Sequence, residues 1–149
     1  MQAYFLDSPQ QPIGTEKLYG EGIFYAQMPV DEEQYRAPLA AICRERGYVA
    51  QDQVHLSAST PNLEPLLEKF FQEHLHTDEE IRFVLKGEGI FDLRDCDDRW
   101  MRVHVVPGDL IIVPPNKYHR FALTDAMNIT CKRLFQNQDG WAAVNRKAV

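Results

Sequence analysis

Apolar and polar positions follow two different periods along the chain. Over 32–46 and 62–72 the apolar positions fit helical spacing, and from Leu75 onward they alternate. Residues 1–30 read as irregular, with short extended pieces at Ala3-Tyr4-Phe5-Leu6 and Gly22-Ile23-Phe24-Tyr25-Ala26. Pro9, Pro12 and Gly14 break the segment between them. Asp31 reads as an N-cap, with Glu33 close to the positive end of a helix over 32–46 that stops at Gly47. Its apolar stripe is Tyr35, Leu39, Ile42 and Cys43. Ser59-Thr60-Pro61-Asn62 signals the start of a second helix over 62–72, which buries Leu63, Leu66, Leu67 and Phe70.

From Leu75 the turns are explicit. Lys86-Gly87-Glu88-Gly89, Asp95-Cys96-Asp97-Asp98, Pro107-Gly108-Asp109 and Pro114-Pro115-Asn116 separate strands at 81–85, 90–93, 100–106, 110–113 and 118–123, and a further strand spans 128–135. Short strands with turns about every 8–12 residues predict a mainly β fold, an antiparallel sandwich or barrel with the N-terminal helices packed outside.

Composition narrows the class. A chain of 149 residues is read as one domain over 1–149, long enough for a real core. A net charge of −6 argues against nucleic acid as a partner. Cys43, Cys96 and Cys131 are odd in number, far apart and without a CxxC, which points to reduced thiols in a cytosol-like compartment. No apolar run is long enough to cross a membrane, and the first residues do not read as a signal peptide.

The chemistry gathers at His74-Leu75-His76-Thr77-Asp78-Glu79-Glu80, with one more histidine at His119. Read as one strand from His74 to Leu85, His74, His76 and Glu80 share a parity and point one way. On a helix, residues two apart face nearly opposite ways and His74 and His76 would not share an ion. A polar face is ordinarily a solvated one, but here it bears imidazoles and a carboxylate at ligand spacing. His119 alternates with Phe121 and Leu123, so it points inward. Three imidazoles and one carboxylate suit Fe(II), Ni(II), Mn(II) or Zn(II), with coordination positions left for water, substrate or O₂. The absence of thiolate argues against a structural zinc site. His55 and His104 lie outside any ligand spacing and receive no metal role, and His104 is read as exposed.

His74-x-His76-x3-Glu80-x6-Gly87 and Gly108-x5-Pro114-x-Asn116-x2-His119 resemble the two cupin motifs, with Glu68, Asn116 and Leu123 in place of a leading glycine, a turn glycine and a final asparagine. A closer resemblance is to the acireductone dioxygenase family. It is carried by Phe70-Phe71-x-Glu73-His74-Leu75-His76-x-Asp78-Glu79-Glu80-Ile81-Arg82, Phe91-Asp92-x-Arg94-Asp95, Tyr118-His119-Arg120-Phe121, Glu45-Arg46-Gly47-Tyr48, Arg133-Leu134-Phe135 and Trp141…Asn145-Arg146. It covers residues 32–146 well and the first 30 loosely.

The resemblance implies a cupin-type jelly-roll barrel with one Fe(II) or Ni(II) per chain, held by His74, His76, Glu80 and His119. It also implies a methionine-salvage activity. Acireductone is cleaved with O₂ to 4-methylthio-2-oxobutanoate and formate by the iron form, or to 3-methylthiopropanoate, formate and carbon monoxide by the nickel form. Within that frame Arg82, at the parity of Glu80, and Arg133 are expected to offset negative charge on the substrate. Phe70 and Phe121 are expected to wall in its methylthio tail. Glu73, Asp78 and Glu79 are read as supporting or solvated residues. The resemblance further implies a cytoplasmic monomer, also nuclear in a eukaryote. The rival reading is a cupin that binds metal as a regulatory or binding module without this reaction.

Overall fold

A computed structural model describes residues 1–136 and 143–147. In chain order the elements are β1 (Gln2–Phe5), β2 (Ser8–Pro12), α1 (Thr15–Gly20), β3 (Phe24–Gln27), α2 (Glu32–Arg46), β4 (Ala50–Ser57), α3 (Leu63–Phe71), β5 (His74–Leu75), β6 (Glu80–Gly87), β7 (Gly89–Arg94), β8 (Trp100–Val105), β9 (Asp109–Val113), β10 (His119–Leu123), β11 (Asn128–Phe135) and β12 (Val144–Asn145). Trp141, part of the family resemblance, lies outside the described residues.

The strands form two antiparallel sheets. One has the order β12-β5-β10-β7-β8-β1-β2 and the other β3-β9-β6-β11-β4. Among the described residues the sheets do not join, so the expected barrel is an open jelly roll of two facing sheets. The space between them is filled from both sides, by Phe91, Leu93 and Val103 of the first sheet and Val84, Ile111, Val113 and Ile129 of the second. A second cluster lies on the outer face of the five-stranded sheet, where Tyr35 and Leu39 of α2 cover Ile81, Phe83, Leu110, Ile112 and Leu134.

Helix α2 has the predicted bounds. The Asp31 carboxylate accepts the Glu33 amide at 3.1 Å, and Gly47 closes the helix with φ 74. Helix α3 starts one residue after Asn62, which adopts φ 55 without a side-chain cap. The hydroxyl of Thr60 instead accepts the Ser57 amide, holding the preceding turn.

Several elements depart from the expectation. Helix α1 and strands β4 and β12 are absent from the sequence reading. Strand β2 runs through Pro9 and Pro12, where a break was expected, because it is an edge strand paired only with β1 and proline is tolerated there. The predicted strand from His74 to Leu85 is broken. Strand β5 ends at Leu75 and pairs with β10 and β12, whereas β6 starts at Glu80 and pairs with β9 and β11. Residues 76–79 carry the chain from one sheet to the other. Strand parity across the break therefore does not govern where His76 points.

Candidate metal centre

The crossing segment and the turn before β10 are tied together. His119 pairs with His74 across β10 and β5, and the Asn116 amide donates to the His76 carbonyl at 2.8 Å. Asn116 makes that bond from a left-handed conformation, φ 65, which asparagine tolerates as the cupin glycine would. His74, His76 and His119 thus converge although they come from three different local structures. Their ring centroids are 4.5–5.3 Å apart, and one ligand atom from each lies within 4.8 Å of the others. Glu80 opens β6 directly beside them, with Oε2 3.7 Å from His76 Nε2 and against His119 Nε2.

Two histidines are oriented from behind. His74 Nδ1 is 2.6 Å from the Gln72 carbonyl and His119 Nδ1 is 2.8 Å from the Lys117 carbonyl. A carbonyl only accepts, so each Nδ1 carries the proton and each Nε2 presents its lone pair to the centre. All four residues are buried. Glu80 Oε2 and His119 Nε2 face each other inside the protein, and neither is satisfied by a regular hydrogen bond. Buried atoms of this kind are costly unless something else bonds them. A carboxylate and three clustered imidazoles fit one divalent cation.

The electrostatics agree. Burial alone would raise the Glu80 carboxyl, but the Arg82 guanidinium and the His119 and His76 imidazoles outweigh it and hold the group well below the usual range. Burial lowers His74, while at His119 the Glu80 carboxylate overcomes burial and raises it. A charged carboxylate in a desolvated pocket is an electrostatic sink for cations.

These residues sit in a cavity of about 210 Å³ between the sheets. Arg82 and Arg133 line it and are register partners on β6 and β11. Arg82 Nη2 donates to Glu80 Oε1 at 2.9 Å, and Arg133 forks onto Asp52, with Nε 2.7 Å from Oδ1. Phe70 and Phe121 also line the cavity and meet edge to face at 6.2 Å. All eight residues singled out from the sequence therefore meet in one place.

The three acidic neighbours are not among the residues that line the cavity. Glu73 is held by Arg94 and Arg146, and its carbonyl accepts the Arg146 amide, which braces β5 and His74 against β12. Glu79 accepts from Arg46 and Tyr48, anchoring the crossing segment to the end of α2. Asp78 is half-buried in that segment. His55 bonds Thr130 and His104 lies 3.3 Å from Glu88, both away from the cluster. His104 is half-buried, not exposed as expected, because Glu88 lies over it.

Sequence reasoning missed the contribution of β4. Its residues Val54 and Leu56 line the cavity and its Asp52 holds Arg133. The signal was present, since Val54 and Leu56 alternate with Gln53 and His55. Cys131 of β11 is buried and also lines the cavity. Its thiol is pushed up by burial and stays neutral.

Comparison with known proteins agrees with this geometry. The family model described as the ARD/ARD' family matches residues 6–143. This chain belongs to that family. Acireductone dioxygenase of Dictyostelium discoideum is 47% identical over 146 residues, covering 98% of this chain and 99% of that protein. The Rattus norvegicus acireductone dioxygenase is 38% identical over 141 residues, covering 94% and 79%. Among solved structures, acireductone dioxygenase from Bacillus anthracis, with a cadmium ion in its active centre, superposes with a TM-score of 0.88 at 32% identity over 96% of each chain. A divalent cation in that family member matches the donor set found here.

Proposed function

We propose that this chain catalyses the O₂-dependent cleavage of acireductone, 1,2-dihydroxy-3-keto-5-methylthiopentene, as one domain over 1–149 working as a cytoplasmic monomer. The observation that carries the reading is a single cavity with a cation-binding donor set and two arginines at one end and an apolar wall at the other. His74, His76, Glu80 and His119 would hold one Fe(II) or Ni(II). When bound, that ion supplies a template and positive charge for an enediolate and for O₂.

The protein's own residues do the rest. The substrate's enediol is acidic and its anion needs compensation, and Arg82 and Arg133 place two fixed positive charges beside the donor set. Asp52 and Glu80 hold those guanidiniums in place, so little reorganisation is needed when the anion arrives. Phe70 and Phe121 shield the methylthio tail from water. Both product sets, 4-methylthio-2-oxobutanoate with formate and 3-methylthiopropanoate with formate and carbon monoxide, balance with O₂ as the sole co-substrate. No external reductant site is required.

The test is to load the protein with Fe(II) or Ni(II), mix it anaerobically with acireductone and admit O₂. Loss of enediol absorbance well above the uncatalysed rate, with formate released, is expected. A metal-loaded protein that leaves the uncatalysed rate unchanged overturns the reading in favour of a binding or regulatory module.

A further inference from the structure

Strand register orders the cavity from polar to apolar. On β10, His119, Phe121 and Leu123 pair with Leu93, Phe91 and Gly89 of β7. On β11, Arg133, Cys131 and Ile129 pair with Arg82, Val84 and Gly87 of β6. Both strands therefore descend from the donor and arginine end to a purely apolar end four residues away, about 13 Å along a strand.

Gly89 sits at that far end. It is buried and does not itself line the cavity. Its backbone gives no reason for glycine, because it lies outside the left-handed region, unlike Gly87 with φ 72. The constraint is space. A Cβ at position 89 would stand 2.7 Å from Phe121 Cε2 and 3.0 Å from both Phe121 Cζ and Ile129 Cδ1. Phe121 and Ile129 are cavity-wall residues. Phe121 is flanked by Phe70 at 6.2 Å and Phe91 at 5.1 Å, so a methyl at 89 pushes its ring toward the cavity.

We propose that Gly89 is a specificity-determining residue: its missing side chain lets Phe121 and Ile129 sit back, and this sets the length of substrate tail that the apolar end accepts. The proposal rests on the acireductone reading and goes beyond it by assigning tail discrimination to a residue behind the wall.

The test compares acireductone with an analogue lacking the methylthio group. Gly89→Ala is expected to lower the ratio of kcat/KM for the long tail over the short one roughly 10-fold or more, the scale set by small changes in apolar pocket volume. Ile129→Ala, which enlarges the same end, should shift preference the other way, toward an ethylthio homologue. A measurement without turnover accompanies these. Zn(II)-loaded protein, which is redox-inert, is titrated calorimetrically with 4-methylthio-2-oxobutanoate and 2-oxobutanoate. Gly89→Ala should weaken the first relative to the second by a similar factor. An enzyme that turns over acireductone normally but shows the same ratios in Gly89→Ala overturns this proposal alone. Wild-type protein that never accelerates the reaction overturns it together with the dioxygenase reading. If Gly89→Ala does not fold, unchanged tail preference in Ile129→Ala is decisive against the proposal.

Discussion

The two faces of β6 are both buried and do different things. Ile81 and Phe83 are 0% exposed and pack under α2, with the Tyr35 ring 5.1 Å from Phe83. Glu80, Arg82 and Val84, on the alternate positions, face the cavity. Alternation along this strand therefore separates packing from chemistry, not core from solvent. The inner face tolerates the buried Glu80 carboxylate because Arg82, two residues on, pairs with it. A change on the outer face should alter how much protein is folded. A change on the inner side should alter what the folded protein does.

The inner side should give the larger effect. Without the His76 imidazole the donor set is incomplete, and loss of the several kcal/mol that a bound cation supplies lowers kcat/KM by roughly 10³-fold. His76→Ala should also bind less than one ion per chain by elemental analysis. Full metal and full O₂ uptake in this variant would break the assignment. On the outer face, Phe83→Ala should cost about 3–5 kcal/mol in urea unfolding of the metal-free protein, as large buried truncations do. Its folded fraction should keep one ion per chain. A folded Phe83→Ala protein that cannot hold metal would mean that the faces are not separable. Arg82→Met tests the inner face without removing a donor: roughly a 10²-fold loss in kcat/KM with metal retained is expected. Unchanged kcat/KM would leave Arg82 as a packing and pairing residue.

This separation also explains what was legible in the sequence. Strands β6 to β11 and helix α2 were readable because their periodicity, turns and caps are local. The ligand types and His119's inward aspect were readable for the same reason. The break at 76–79 was not, because the residues there alternate as a strand would. Only the sheets' different partners, β10 for His74 and β9 for Glu80, force the crossing. Strand β4 was missed because it is an edge strand, where Gln51, Asp52 and Gln53 are exposed and dilute the apolar signal of Val54 and Leu56. The role of Asp52 depends on pairing with Arg133, 81 residues away, which no local pattern encodes.

The smallest expected effect lies outside both faces. Glu21 caps the end of α1, 2.9 Å from Lys17 and 3.2 Å from Lys117, and it accepts the Cys96 amide. Lys117 in turn offers its carbonyl to His119 Nδ1, so this brace reaches the donor set from behind. Burial alone would raise the Glu21 carboxyl, but Lys17, the Cys96 amide and Lys117 outweigh it and bring it from 4.5 to about 2. A carboxyl lowered on folding binds its proton more readily when unfolded. Its contribution is therefore fully present above pH 4.5 and is lost as pH falls toward about 2. Glu21→Gln should lower stability by about 1–2 kcal/mol at pH 7, with the difference from wild type shrinking through that window. Urea titrations of the metal-free protein isolate this effect, because protonation of the histidines then cannot act through metal loss. At pH 7 the variant should keep its metal and its kcat/KM. If it instead loses metal while remaining folded, bracing through Lys117 sets the position of His119, and the donor set depends on the scaffold outside β6 as well as on the inner face.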